Sequence, residues 1–532
     1  MAGVRSGTVI LVDPDVRDVG IDFDALSGDL RRLGIGRTVL VPGLARHPEL
    51  LTGAVKVSGA RTAVVVSADL EHPPIAELRM WGEAGGLAPL GVNVVALDIL
   101  RARRSAVERS AYAVRMVRSA VLALGAPGTA IRRPVGGALS RRALLNGRAT
   151  TWAPVVEVRT SSCLGTSRCG HCVEACPEGA LRIGRIGDDV AGAPPIVDVS
   201  LCEACSGCLD VCPTGALSLD GHDPGTIARR LQALLRGGDG SAAPALAIAC
   251  QTAVAPLHRL GERGGLPGWL VLEVACLGGV GSAWQLAALA AGARTVQLMP
   301  CERCMDRGSV TKALDFTRSL LALLGDGDAS RRVGVLPLGG APLRRAIHAA
   351  NGLNALLDGS GADRMPAYSA TETSARVAAW AIDELQRALP VPLEDEHRTL
   401  RVILGEGAPL GAPRVTKGCT GCGVCARNCP TGALSLTASL GSSELVLDPG
   451  ACTGCGACIE TCPEDVIEVI RGVDLDLLAR GCVPIARVEA VACADCGENV
   501  PPLPATAHVT SLPARLAGRC PRCRQAALVA SA

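Results

Sequence analysis

A chain of 532 residues is long enough for about three or four compact units. Its 53 lysines and arginines nearly cancel 51 aspartates and glutamates, leaving +2 at pH 7, and aromatic residues make up only 2%. That excludes the strong positive field and the stacking platforms on which binders of nucleic acid or anionic membranes depend. The outlying number is 25 cysteines, none of them before Cys163. The start, MAGVRSGTVILVDPDV, has one arginine and then acids, without the apolar run and cleavage site of a signal peptide. A secreted disulfide framework is therefore not expected, and the cysteines are expected to be reduced metal ligands in the cytoplasm.

In chain order, Thr8–Val12, Thr38–Val41, Thr62–Ser67 and Asn93–Leu97 are short apolar runs that predict strands, and Ser105–Leu124 predicts a long helix. The alternation predicts a Rossmann-like α/β domain over residues 1–125, then a linker over 126–152. The stretch RTAVVVSADLEHPPIAELRMWGEAGGLAPLGVNVVALDIL resembles the N-terminal α/β part of the flavin-containing subunit of heterodisulfide reductase. In that family a cysteine follows the third strand. Here Ser67, Ala68 and Asp69 stand there, so no cluster is expected in this domain. His72 falls where the family has a histidine and is read as a packing residue. The family continues into a flavin domain opened by G-x-G-x-x-G, whereas here Gly125 to Pro154 lead straight to the cysteines, so no flavin is expected.

Cys163, Cys169, Cys172, Cys176-Pro177 and then Cys202, Cys205, Cys208, Cys212-Pro213 form a first pair of runs, expected to make a ferredoxin module over residues 153–222. Cys419, Cys422, Cys425, Cys429-Pro430 and Cys452, Cys455, Cys458, Cys462-Pro463 form a second, over 413–472. Three of the four runs are the C-x2-C-x2-C-x3-C-P pattern of bacterial ferredoxins, and the first stretches its opening gap. Each fourth cysteine serves the other cluster of its pair. The expected 4Fe–4S sets are Cys163, Cys169, Cys172 and Cys212; Cys202, Cys205, Cys208 and Cys176; Cys419, Cys422, Cys425 and Cys462; and Cys452, Cys455, Cys458 and Cys429. The words after the fourth cysteines, PEGAL, PTGAL, PTGAL and PEDVI, repeat as well. His171, inside the first loop, is read as a solvent-facing ring.

Between the modules, ALAIA (Ala245–Ala249), LVLEVA (Leu270–Ala275) and TVQLM (Thr295–Met299) predict three buried strands, and GSAWQLAALAAG predicts the crossover helix of a parallel sheet. Trp269 to Ala293 carries one charge, Glu273, yet glycines break it into strand, turn and helix, so no membrane span is expected. Cys250, Cys276, Cys301 and Cys304 follow the strands, where open parallel sheets gather ligands. Four thiolates suit a 2Fe–2S cluster; ordinary buried cysteines are the competing reading. From Ala245 to Leu338 the chain resembles the delta subunit of methyl-viologen-reducing hydrogenase, through C-L-G-G-V at Cys276 and A-G-A-R-T-V-Q-L-M-P-C-E-R-C. The resemblance implies a parallel α/β iron–sulfur domain over residues 240–348 that passes electrons between a hydrogenase and heterodisulfide reductase. That family has more cysteines near the first strand and a wider last pair than Cys301-x2-Cys304.

Residues 349–412 are read as helix and linker, with an amphipathic helix at Thr371–Leu389 stopped by Pro390 and Pro392 and followed by LEDEH. Two glycine words, GGVGSAW (Gly278–Trp284) and GEGAPLG (Gly405–Gly411), lack the pattern of a nucleotide site. Cys482 is left over and is expected to pack in a core; a thiol near the third or fourth cluster is the competing reading. Cys493-x2-Cys496 and Cys520-x2-Cys523 predict a zinc ribbon over residues 485–527. A rubredoxin-like iron competes there, but the aromatics that pack around such an iron are missing. Arg515, Arg519, Arg522 and Arg524 are read as a solvated face rather than a nucleic-acid contact.

The fold class expected is therefore multidomain, α/β plus α+β. The function expected is that of an electron-transfer subunit with no catalytic residue of its own, working with flavin- or metal-containing oxidoreductase subunits and a ferredoxin or similar carrier. Two rivals are a self-sufficient flavoenzyme and a redox-sensing or assembly scaffold.

Overall fold

The computed structural model describes residues 7–68, 75–103, 105–124, 130–134, 150–166, 169–183, 193–219, 221–236, 243–306, 309–357, 361–369, 372–389, 402–405, 407–438, 442–489, 491–500 and 519–529. It divides into two compact units, Met1–Val391 and Pro392–Ala532. Among the described residues no helix is long and apolar enough to cross a membrane. Trp269 to Ala293 is a strand, a short 3-10 turn and a helix.

The first unit opens with strands β1 (Thr8–Val12), β2 (Arg37–Leu40), β3 (Thr62–Ser67) and β4 (Val92–Ala96), interleaved with helices α1 (Phe23–Arg32), α2 (Leu50–Ser58), α3 (Ile75–Gly85) and α4 (Ala106–Ala123). The sheet runs in the order β2-β1-β3-β4 and is parallel throughout. β1 and β3 are buried on both faces, which is why TVILV and TAVVVS read as continuous apolar runs without alternation. β2 and β4 lie one residue earlier than their apolar runs suggest, because the parallel ladder pairs Val9 with Arg37 and Ala63 with Val92. His72 lies outside the described residues.

The segment expected to be a linker carries structure at its ends. β5 (Ala130–Pro134) pairs antiparallel with β6 (Thr150–Pro154), and Arg79 Nη1 of α3 donates to the Trp152 carbonyl. The first ferredoxin module follows with β7 (Glu157–Val158), β8 (Leu181–Arg182), β9 (Ile196–Val197) and β10 (Leu217–Ser218). β10 pairs with β7 and β8 with β9, a pseudo-symmetric exchange in which each half borrows a strand from the other. A helix at Pro224–Leu235, capped by Asp223 accepting from the Thr226 N–H, then packs against α4.

The central sheet contains β11 (Ala245–Cys250), β12 (Trp269–Val274), β13 (Thr295–Met299) and β14 (Val333–Val335), in the order β12-β11-β13-β14, all parallel. The crossover helix Ser282–Ala290 is buried along its whole length, so it carries no polar face. One of its partners is the helix Ser374–Ala388. That helix, expected in a linker region, is instead a covering layer of the central domain. Its buried stripe of Ala378, Ala381, Ile382 and Leu385 supplies the reason.

The second unit has β15 (Val402–Leu404), β16 (Gly411–Val415), β17 (Leu434–Ala438), β18 (Ser442–Leu447), β19 (Ile467–Asp474) and β20 (Val483–Glu489), in two antiparallel sheets ordered β15-β19-β16 and β17-β18-β20. β20 pairs with β18, so residues 485–489, expected in the ribbon, lie in the sheet of the ferredoxin module. Cys482 is exposed rather than packed in a core. It follows Gly481, which ends the helix Leu475–Arg480 in a surface turn before β20. The ribbon itself has a two-residue ladder, β21 (Val491–Ala492) with β22 (Asn499–Val500), and a helix at Pro521–Val529.

Candidate metal centres

In the first module the short helix His171–Glu174 carries Cys172 inward, and His171 is partly buried at its start. Burial first, then the neighbouring sulfurs of Cys212, Cys169 and Cys163, push the Cys172 thiol up to about 12. The neighbours of Cys172 are thus two cysteines of its own run and the fourth cysteine of the other. Cys208, on the helix Gly207–Asp210, is raised well above its ordinary value by burial, then by Cys205, Cys202, Cys172 and Cys176. Cys172 of the first set thus acts on Cys208 of the second, so the two ligand sets adjoin. Backbone N–H groups already turn toward the sulfurs, Ala180 to Cys176 at 3.2 Å and Gly165 to Cys163 at 3.4 Å. A buried thiol held protonated in the free site is one that metal binding must deprotonate, so metal binding releases protons here.

The second module repeats the arrangement. Cys419, Cys422, Cys425 and Cys462 line one small cavity with Leu436, Leu445 and Ile467. Cys425 is pushed up to about 11 by burial and by Cys422, Cys419 and Cys462, against a hydrogen bond from the Ala426 N–H. Cys458 reaches about 12 through burial, then Cys452, Cys455, Cys425 and Cys429. In both modules the fourth cysteine faces the opposite run.

The loops need left-handed residues. Gly421, Gly423, Gly454 and Gly456 have φ of 66°, 69°, 68° and 78°. Alternating right- and left-handed residues point successive N–H groups into one concavity, which favours the negative charge of thiolate-bound iron. In the first module the equivalent positions before and after Cys205 are Ala204 (φ 53°) and Ser206 (φ 60°). Two side-chain-bearing residues are therefore held in a conformation that glycine adopts freely.

The central cysteines lie near the carboxyl ends of β11, β12 and β13. Cys276 Sγ lies 3.2 Å and Cys301 Sγ 3.5 Å from Cys304 Sγ. The sulfurs of Cys250, Cys301 and Cys304 lie within 4.8 Å of one another. Hydrogen bonds from Cys276 and Cys304, followed by one from Thr252, hold Cys250 far below the ordinary thiol range, while the same contact with Cys250 raises Cys304. The donor set suits a thiophilic metal.

This site opens on a cavity of about 600 Å³ that Cys205 and Glu203 of the first module also line. The close approach rests on Gly278 and Gly279. A Cβ on Gly278 would stand 3.1 Å from the Cys205 carbonyl oxygen, and one on Gly279 would collide with Ser206. GGVGSAW therefore has its glycines for backbone contact with a cluster loop. The paired small residues after Cys276 are the only signal of that contact in the sequence.

In the ribbon the sulfurs of Cys493, Cys496, Cys520 and Cys523 all lie within 4.8 Å of one another, and Cys496 and Cys520 are 3.7 Å apart. Ligands held tetrahedrally at about 2.3 Å from one ion are about 3.8 Å apart. N–H groups of Cys496 and Cys520 hold Cys493 down at about 6. Arg519 pairs with Asp495 at 3.0 Å, while Arg515 lies outside the described residues.

The family described as 4Fe-4S dicluster domain has a model that matches residues 162–216 and 418–466, which contain all sixteen cysteines of the four runs. A search of the curated proteins finds no match. The chain thus carries two ferredoxin-like 4Fe–4S dicluster domains, and iron–sulfur electron transfer is what such domains perform.

Proposed function

We propose that this chain is the electron-transfer subunit of a larger oxidoreductase of the heterodisulfide reductase and hydrogenase kind, working in the cytoplasm. In it, four 4Fe–4S clusters sit on the crossed cysteine sets, a 2Fe–2S cluster on Cys250, Cys276, Cys301 and Cys304, and zinc on the ribbon. Each iron–sulfur cluster supplies one-electron exchange. The residues hold the sulfurs, donate N–H groups to them and keep water out of the loops. The supporting observation is the crossed neighbourhood of Cys172 with Cys212 and of Cys208 with Cys176. The shared cavity of Cys205 and the central thiols offers a continuous route from the first module into the central domain. Flavin- or metal-containing partners and a ferredoxin-like carrier would supply and remove the electrons. Purification under strict anaerobiosis, followed by mass spectrometry of co-purifying chains and a flavin assay on each, tests this reading. Stoichiometric flavin on the isolated chain would favour a self-sufficient enzyme instead.

A second reading of the central site rests on its compactness. Cys304 Sγ has Cys276 Sγ at 3.2 Å and Cys301 Sγ at 3.5 Å, whereas a two-iron core divides its four thiolates into two separated pairs. A single ion on Cys250, Cys301 and Cys304, whose sulfurs lie within 4.8 Å of one another, therefore competes with the 2Fe–2S cluster.

A further inference from the structure

A second cavity, of about 540 Å³, lies between the N-terminal sheet and the central sheet, within the first unit. Its size is in the range of small-molecule sites, roughly 300–1,000 Å³. Val94 of β4, Met116 of α4, Leu234 of the Pro224–Leu235 helix and Val271 of β12 give it apolar walls. Arg230, Arg259, His258 and Glu273 supply its charge.

We propose that this cavity binds a compact apolar organic monoanion, with its carboxylate held by the Arg230 guanidinium. Arg230 is buried to 6% exposure, and its Nη2 donates to the backbone carbonyl of Glu273 at 3.3 Å. Its Nε has no hydrogen-bond partner among the described residues. A guanidinium taken out of water with a nitrogen left unbonded is costly, and an anion on the part of it that lines the cavity offsets that cost.

The nearest acid is not free to do so. Glu273 Oε1 is 2.9 Å from His258 Nε2, and His258 Nδ1 is 3.0 and 3.1 Å from the two oxygens of Asp98, which is fully buried. His258 thus bridges Asp98, just after β4, to Glu273 of β12 and takes one Glu273 oxygen, while the Glu273 charge also favours the ionised Arg230. With His258 protonated, the three cations Arg230, Arg259 and His258 face, among the described residues, the two carboxylates Asp98 and Glu273. The remaining positive charge selects an anion, and the apolar walls select one with a hydrocarbon body. Thr252 lines this cavity as well as the one at the central cysteines, and its Oγ1 is 3.3 Å from Cys250 Sγ. An occupant would therefore sit one residue from the thiol site.

The test is calorimetric titration of the full-length, metal-loaded protein with octanoate and, separately, with 1-octanol. Saturable one-to-one binding of octanoate, at least about tenfold tighter than that of octanol, is expected, since the charge-assisted pair is the difference between the two. Arg230→Met should lower octanoate binding to the octanol level and leave octanol unchanged. No saturable octanoate binding overturns the site, and equal affinity for the two probes overturns the anion assignment. If Arg230→Met loses the cluster absorbance of the parent, the comparison of the two probes on the parent protein decides by itself. Neither probe reports on which metal the central cysteines hold, so failure here is separate from failure of the proposed function.

Discussion

Cys212 contributes to the field that raises the Cys172 thiol, although the two belong to different halves of the first module. Pro213, directly after Cys212, ends that run and turns its fourth thiol away from Cys202, Cys205 and Cys208. Cys212→Ser should therefore remove the same EPR signal from the reduced protein as Cys163→Ser, and Cys176→Ser the same signal as Cys202→Ser. Pairing Cys212 with Cys202 instead would contradict the crossed assignment.

Metal content separates the readings of the central site. With four cubanes and a two-iron cluster the anaerobically purified chain should hold about eighteen irons and about one zinc. A Cys304→Ser variant should then lose about two irons and leave the other clusters intact. Loss of about one iron, or of one zinc with all iron retained, would identify a single ion at these cysteines. Iron near eight would remove one ferredoxin module from the account.

Much of this is legible in the sequence, and the rest is not, for identifiable reasons. The sixteen ferredoxin cysteines follow a spacing imposed by a tight loop, so local order carries their role. β1, β3 and β13 occupy the residues their apolar runs mark, because fully buried parallel strands need continuous Val, Ile and Leu. The Ser374–Ala388 helix is visible as amphipathic, but its partner, the Ser282–Ala290 helix, is remote in sequence, and pattern alone does not choose partners. The pairing of His258 with Asp98 joins two domains through residues that look ordinary in isolation. Cys482 defeats a sequence reading because a single cysteine carries no spacing, and only its turn shows it to be exposed.

Ala204 and Ser206 hold left-handed conformations where the second module has glycines. A non-glycine residue pays about 1–2 kcal/mol there. Ala204→Gly should raise the thermal midpoint of the loaded protein, offset in part by the greater freedom of glycine in the unfolded chain. Ser206→Gly should gain less, because the buried Ser206 hydroxyl donates to the Cys205 carbonyl at 2.7 Å and that bond is lost. A lower midpoint for Ala204→Gly, measured by scanning calorimetry under anaerobic conditions, would show that the strain is absent.

The ribbon should respond to chelation independently of the clusters. Its sulfurs are gathered around one point, and Cys493, at about 6, is already largely thiolate at neutral pH. A strong zinc chelator should remove about one zinc while the visible absorbance of the clusters is unchanged. Zinc uptake should weaken steadily as the pH falls, because the raised Cys520 and Cys523 thiols must lose protons on binding, and more steeply below about 6, where Cys493 also takes up its proton. Bleaching of the visible spectrum in step with metal loss would mean that iron occupies the ribbon.

The last prediction concerns the bridge between the two α/β sheets. Burial disfavours the charged His258 ring, but hydrogen bonds to Asp98 and Glu273, with their negative charge, outweigh it and lift the histidine from 6.5 to about 10. Because the folded value is raised, its stabilising effect is fully present below about 6.5 and is lost as pH rises toward 10. Arg230 has the opposite sign: burial lowers it to about 10, so its desolvation cost is relieved only above that pH. The parent protein should therefore lose thermal stability steadily from neutral pH to about 10. His258→Gln should be less stable at pH 7 and much flatter over that range, so the two melting curves converge near pH 10. Parallel curves with a constant gap would mean that the ring is neutral in the folded protein and that Asp98 is not paired with an imidazolium.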